Sequence, residues 1–125
     1  MSSRLVLVAD DDEDILTLVG LALSRAGVEF IEARDGATAL AIAQERLPSL
    51  VLLDVSMPKL DGLEVTRRLR AQASTRDIPI ILLTARAQSA DVEEGFQAGA
   101  TAYLSKPFSL AALIARVREF TEPGA

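Results

Sequence analysis

The sequence predicts an α/β protein built on one parallel sheet with helices on both faces. Short apolar runs alternate five times with amphipathic segments, the pattern of successive βαβ units. Three of the runs, Leu5–Ala9 (LVLVA), Leu50–Leu53 (LVLL) and Ile78–Thr84 (IPIILLT), are nearly continuously apolar, as strands covered on both faces should be. The other two, Glu29–Ala33 (EFIEA) and Thr101–Ser105 (TAYLS), carry more polar positions and fit the edges of the sheet.

Each connecting segment reads as a helix. After the first strand, Ile15, Leu18, Val19, Ala22, Leu23 and Ala26 repeat at the spacing of one buried stripe, with Asp12 as the cap and Gly27 as the stop. Asp35-Gly36 begins a second helix whose Ala37, Leu40 and Leu47 face inward until Pro48 ends it. A third, in DGLEVTRRLR (Asp61–Arg70), sets Val65 and Leu69 one turn apart. Ser89 caps a fourth that holds Val92 and Phe96, and its interior Gly95 costs up to ~1 kcal/mol relative to Ala, so this helix is expected to be the least stable. Ser109 caps the last, with Leu110, Leu113, Ile114 and Val117 as its stripe. Residues 1–125 are expected to form one domain, with 121–125 a frayed tail.

Composition narrows the function classes. Thirteen basic residues against eighteen acidic ones give a net charge of −5, which disfavours direct binding to nucleic acid or an anionic membrane. With no cysteine there is no disulfide, thiolate ligand or thiol nucleophile. No secretory leader or apolar run of ~20 residues is present, so a cytoplasmic location is expected. Only two of the basic residues are lysines, Lys59 and Lys106, so either is a candidate for a role beyond solubility.

Five polar residues stand at strand ends: Asp10 and Asp11 after the first strand, Asp54 at the third, Thr84 at the fourth and Lys106 after the fifth. In an open parallel sheet these ends share one edge, where ligands bind near the point at which strand order reverses. Singly each has an ordinary explanation, since acids are favoured at helix N-termini by the dipole, and that explanation suffices for Asp12, Glu13 and Asp14. Four segments aiming polar groups at one crevice carry more weight.

These residues fall in VADDDED, LLDVSMPKLDG, ILLTA and YLSKPF, and with those motifs in that order nearly the whole chain resembles the response-regulator receiver domains of two-component signalling. The resemblance implies a flavodoxin-like (βα)5 fold with strand order 2-1-3-4-5 in three α/β/α layers. It makes Asp54 the phosphoryl acceptor and Asp10 and Asp11 the acidic pair that holds Mg²⁺, with Mn²⁺ a substitute. Asp11 and Asp54 are then direct ligands, Asp10 acts largely through water, and the Ser56 carbonyl completes the set. Thr84 and Tyr103 become the switch pair, and Lys106 the lysine beside the phosphoryl group, aimed by a cis bond to Pro107.

The chemistry asks for such residues, because phosphoryl transfer is mostly positioning and charge stabilisation, and a carboxylate nucleophile among other carboxylates wants a divalent cation. By the same resemblance the donor is a histidine kinase, a phosphotransfer protein or a small acyl phosphate. The output is a changed surface around the fourth helix, fifth strand and fifth helix that controls a protein partner or a tethered domain. No separate substrate turnover is expected, only self-catalysed phosphorylation and hydrolysis.

Departures mark the limits of the likeness. Winged-helix members often show two acids before the tyrosine, used in a dimer face, where this chain has Thr101-Ala102, which puts a dimer of that type in doubt. Ser56 and Arg86 replace groups that orient water in fast-hydrolysing members, and slow self-dephosphorylation is the expectation. Two other classes stay open. One is a haloacid-dehalogenase-like aspartyl phosphatase, which wants a second Asp where Ser56 stands. The other is a flavodoxin-like cofactor binder, whose phosphate the DDDED run would repel. A receiver cut from a longer transcriptional or enzymatic regulator is the third alternative.

Overall fold

The computed structural model describes residues 5–85 and 89–121, and of residues 89–92 the backbone only. Strands β1 (Val6–Ala9), β2 (Phe30–Ala33), β3 (Leu50–Asp54), β4 (Ile80–Thr84) and β5 (Ala102–Ser105) alternate with helices α1 (Glu13–Arg25), α2 (Gly36–Arg46), α3 (Gly62–Ala71), α4 (Ser89–Ala98) and α5 (Leu110–Thr121). All strand pairs are parallel, in the order β2-β1-β3-β4-β5, so the two more polar strands lie at the edges. The chain has the flavodoxin-like doubly wound architecture.

Period-two alternation divides the core. Leu7, Ala9, Val51, Leu53, Ile80 and Leu82 point to one face, where Ala39, Ala43, Val65 and Leu69 from α2 and α3 cover them. Val6, Val8, Leu50, Leu52, Ile81 and Leu83 point to the other, under Leu16, Val19, Leu23, Leu113 and Val117 of α1 and α5. Fully burying one such aliphatic side chain contributes ~1.5–3 kcal/mol, so both layers are needed to hold the sheet.

Helix starts follow their caps. Asp12, Asp35 and Asp61 accept from the backbone N–H of Asp14, Thr38 and Glu64, and the Ser109 hydroxyl accepts from Ala112. Gly27, with φ of 74°, follows the α1 C-cap Ala26 and stops that helix. The cap expected of Ser89 lies outside the described side chains, as does Val92.

The buried stripes differ in phase from the sequence reading. In α1 the buried residues are Leu16, Val19, Gly20 and Leu23, while Leu18 is 49% exposed, because the helix rests on Phe30 and the sheet through Gly20. In α2 the fully buried residues are Gly36, Ala39 and Ala43, and Leu40 packs partly buried against the core as expected, while Ala37 and Leu47 are exposed. Leu47 sits in the left-handed region (φ 46°) as the C-cap, and the following Pro48 is buried. Phe96 of α4 is exposed on one side, because Gly95 takes the inward position against Leu82. In α5, Leu110 is exposed and Thr121, expected to be the first residue of a frayed tail, belongs to the helix: it is buried and its hydroxyl donates to the Val117 carbonyl at 2.9 Å. Residues 122–125 lie outside the described residues.

Candidate functional site

Sheet order sets β1 and β3 side by side while α1 leads away to β2, and the chain therefore diverges at their C-terminal ends and leaves a crevice. Asp10 continues the β1–β2 ladder by one residue, its N–H donating to the Ala33 carbonyl at 3.1 Å. Asp54 is the last residue of β3, and Thr84 the last of β4. Lys106 follows β5, held by a 2.7 Å hydrogen bond from its N–H to the Thr84 carbonyl, and the Lys106–Pro107 peptide bond is cis. Asp10, Asp11, Asp12, Asp54, Val55, Ser56, Thr84, Ala85 and Lys106 line one cleft of about 470 Å³.

Charge in the cleft is densely packed. One carboxylate oxygen each from Asp10, Asp11 and Asp54 can be chosen so that all lie within 4.8 Å of one another. At that spacing two unit charges repel by ~3–4 kcal/mol at an effective dielectric of 20. Asp10 is fully buried; its Oδ1 accepts from the Asp12 N–H at 3.0 Å and its Oδ2 from Lys106 Nζ at 2.7 Å. The same Nζ stands 3.4 Å from Asp54 Oδ1, so Lys106 joins the two acids. Burial, then the neighbouring Asp10 charge, pushes the Asp54 carboxyl up to about 6, against the pull of Lys106 and the Ser56 backbone hydrogen bond. For Lys106 burial works downward, but the hydrogen bond to Asp10 and the charges of Asp54 and Asp10 outweigh it, and the ammonium is held above its usual range.

One ammonium facing three carboxylates leaves a formal surplus of two negative charges. Hard oxygen donors, negative charge and an open cleft suit a small divalent cation such as Mg²⁺, which keeps several of its waters. Asp11, unlike Asp10, is exposed and turns its carboxylate to the cleft.

Behind this cleft lies an apolar pocket of about 10 Å³ lined by Val55, Leu82, Thr84, Gly95, Phe96, Ala100, Ala102 and Tyr103. Thr84 borders both spaces. Tyr103 is partly buried and packs edge-to-face on Phe96, with centroids 5.9 Å apart and planes at 78°.

The family model described as the response regulator receiver domain matches residues 6–118. The chain belongs to the response-regulator receiver family. A curated relative of this receiver domain, the DNA-binding dual master transcriptional regulator RpaA of Synechocystis, is 43% identical over 90% of this chain and 47% of its own length. The receiver spans about half the length of the curated relatives it matches first. Among solved structures, a response regulator of Chloroflexus aurantiacus superposes with a TM-score of 0.90 at 34% identity, covering 96% of this chain and 98% of that one. The receiver domain of the sensor histidine kinase PA1611 of Pseudomonas aeruginosa, described with magnesium coordinated in its active-site cleft, scores 0.88 at 33% identity, over 96% and 98%. Receiver domains are the phosphorylation switches of two-component systems and work with histidine kinases, and family membership gives this chain that class of function.

All the residues singled out at strand ends meet in the one cleft, and Ser56 joins them. Asp12, expected only to cap α1, also lines the cleft, and Gly62 at the start of α3 lies against the backbone of Asp54. A Cβ at Gly62 would lie 2.3 Å from the Asp54 carbonyl oxygen, so a hydrogen is required there. The Asp-Gly pair that starts α3 was the available signal. Lys59 takes no part: it is exposed in the left-handed region (φ 70°) and pairs with Asp35 at 3.7 Å. Arg86 lies outside the described residues. Among the described residues no helix is long and apolar enough to cross a membrane.

Proposed function

We propose that the chain is a single receiver domain in which Asp54 accepts a phosphoryl group and thereby controls a protein contact. The observation that carries this reading is the seat of Asp54 at the edge of a parallel sheet, flanked by Asp10 and Asp11 and within 3.4 Å of Lys106 Nζ. An Asp54 oxygen attacks the phosphorus of a phosphohistidine on a kinase or phosphotransfer protein, the P–N bond breaks, and the imidazole keeps the electron pair. Lys106 and the Thr84 hydroxyl donate to the equatorial oxygens, where charge spreads in the transition state. Asp10, Asp11, Asp54 and the Ser56 carbonyl would hold Mg²⁺, or Mn²⁺ in its place. When bound, the cation screens the acids from one another and from the incoming phosphoryl oxygens.

Thr84 borders the phosphoryl cleft and the pocket beside Tyr103, so a hydroxyl drawn toward the phosphate leaves room for the ring to move inward. A local charge event then biases the packing of α4, β5 and α5, which a downstream protein or a tethered output domain reads. The chain acts in the cytoplasm without touching nucleic acid or membrane itself, and its only turnover is loss of its own phosphate.

Intact-mass measurement after acetyl phosphate treatment, with and without Mg²⁺, tests the proposal. A single phosphoryl adduct that needs the metal and is absent from Asp54→Asn is expected. An unmodified wild type, or an adduct that persists in Asp54→Asn, overturns the assignment.

A further inference from the structure

The loop after Asp54 contains a turn that is held from outside by the start of α2. Pro58, Lys59 and Leu60 make a three-residue turn, closed by the Leu60 N–H donating to the Pro58 carbonyl at 2.8 Å, with Lys59 at φ 70°. This is the rarer and strained form of such a turn, and it persists only where its surroundings fix it. Two neighbours do so. On the α3 side, Gly62 lies against the Asp54 backbone and its N–H donates to the Val55 carbonyl at 2.9 Å. On the α2 side, Gly36 presses on Leu60: a Cβ there would lie 1.6 Å from the Leu60 carbonyl oxygen and 2.5 Å from its carbon. The Gly36 N–H also donates to the Pro58 carbonyl at 3.4 Å, and Asp35 Oδ2 faces Lys59 Nζ at 3.7 Å.

A methyl group added at Gly36 meets backbone, so either α2 or the turn has to move. Ala39 and Ala43 are fully buried and fix α2 in the core, whereas Pro58 and Lys59 are exposed, and the turn is therefore what yields. Only Met57, Pro58 and Lys59 stand between Leu60 and Ser56. Met57 is buried and the Pro58 ring is stiff, so little of a displacement is absorbed before it reaches Ser56. Ser56 lines the cleft, and its N–H donates to the Asp54 carboxylate.

We propose that Gly36 is a positioning residue for the phosphoryl site, resting on the reading of Asp54 as the acceptor. By lacking a side chain it lets the start of α2 seat the 58–60 turn, and through that turn the Ser56 backbone beside Asp54.

Titration calorimetry with Mg²⁺ alone, and phosphorylation by acetyl phosphate, both on the full chain, test this role. Gly36→Ala is expected to bind Mg²⁺ about tenfold more weakly and, at saturating Mg²⁺, to be phosphorylated about tenfold more slowly. Its Ser56 amide resonance in EDTA should also move, which a loss of global stability alone does not cause. Ala43→Gly loosens the same helix away from the turn and should stay within about twofold of wild type in both titration and rate. Asp35→Ala removes the α2 cap without adding an atom and should weaken Mg²⁺ binding about threefold, while Asp35→Asn, which keeps a cap, should not. That pair decides the matter if Gly36→Ala does not fold. A wild type that takes up neither Mg²⁺ nor a phosphoryl group defeats the reading of Asp54 as the acceptor. A wild type that takes up both, beside a folded Gly36→Ala equal to it in affinity and rate, overturns the role of Gly36 alone. So does an Asp35→Ala that binds Mg²⁺ as Asp35→Asn does, or an Ala43→Gly that loses as much as Gly36→Ala.

Discussion

Replacing Asp54 by Asn should stabilise the metal-free protein, and more at pH 8 than at pH 5. The carboxyl, ordinarily near 3.8, sits at about 6 in the fold because burial and the Asp10 charge disfavour its ionised form. The folded state therefore binds the proton more tightly than the unfolded chain. Stability from this group is fully present below the ordinary carboxylate range and is lost as pH rises through about 6. A rise of roughly two pKa units corresponds to a ceiling of ~3 kcal/mol lost by pH 8. Asparagine keeps the shape and removes that loss, but gives up the 3.4 Å pairing with Lys106, which takes back part of the gain. The expected net difference is about 1–2 kcal/mol, or roughly 3–8 °C in Tm for a domain of this size. Thermal melts followed by circular dichroism in EDTA measure it at both pH values. Mg²⁺ should then raise the wild-type Tm more than that of the variant, by mass action on the folded state. A variant no more stable than wild type at pH 8, or a gain equal at pH 5 and pH 8, refutes the electrostatic account of the cleft.

Lys106→Met should act in the opposite sense. It leaves the fully buried Asp10 and the nearby Asp54 without their shared cation, and a loss of about 2–4 kcal/mol at pH 8 in EDTA is expected by urea titration. Mg²⁺ should restore part of that stability but not phosphorylation by acetyl phosphate; a variant as stable as wild type in EDTA would contradict the pairing. Gly62→Ala places a methyl group 2.3 Å from the Asp54 carbonyl, against backbone that cannot swing away, and a loss of at least ~2 kcal/mol is expected. Slower phosphorylation at saturating Mg²⁺ should accompany it, and an unchanged melt would show that β3 can shift without cost.

The alternation of apolar runs and helical segments was enough to read off five strands, five helices, both edges and the strand-end placement of Asp10, Asp54, Thr84 and Lys106. These features are local: strand burial on both faces shows as an unbroken aliphatic run, and caps such as Asp12, Asp35, Asp61 and Ser109 act within three residues. The helix stripes were less legible, since a stripe that includes Leu18 and one that includes Leu16 differ by half a turn and both are apolar. What decides between them is the neighbouring sheet, against which Gly20 must approach Phe30.

The sequence by itself determined which chemical groups stand at which strand ends, because that depends only on side-chain type and periodicity along the chain. Tertiary structure alone decided that Lys106 sits 2.7 Å from Asp10 across 96 residues of chain, that the Asp54 carboxyl is pushed up to about 6, and that Leu18 and Leu21 face outward. Distance, dielectric and exposure belong to the packed assembly of all five βα units, and no single segment carries them.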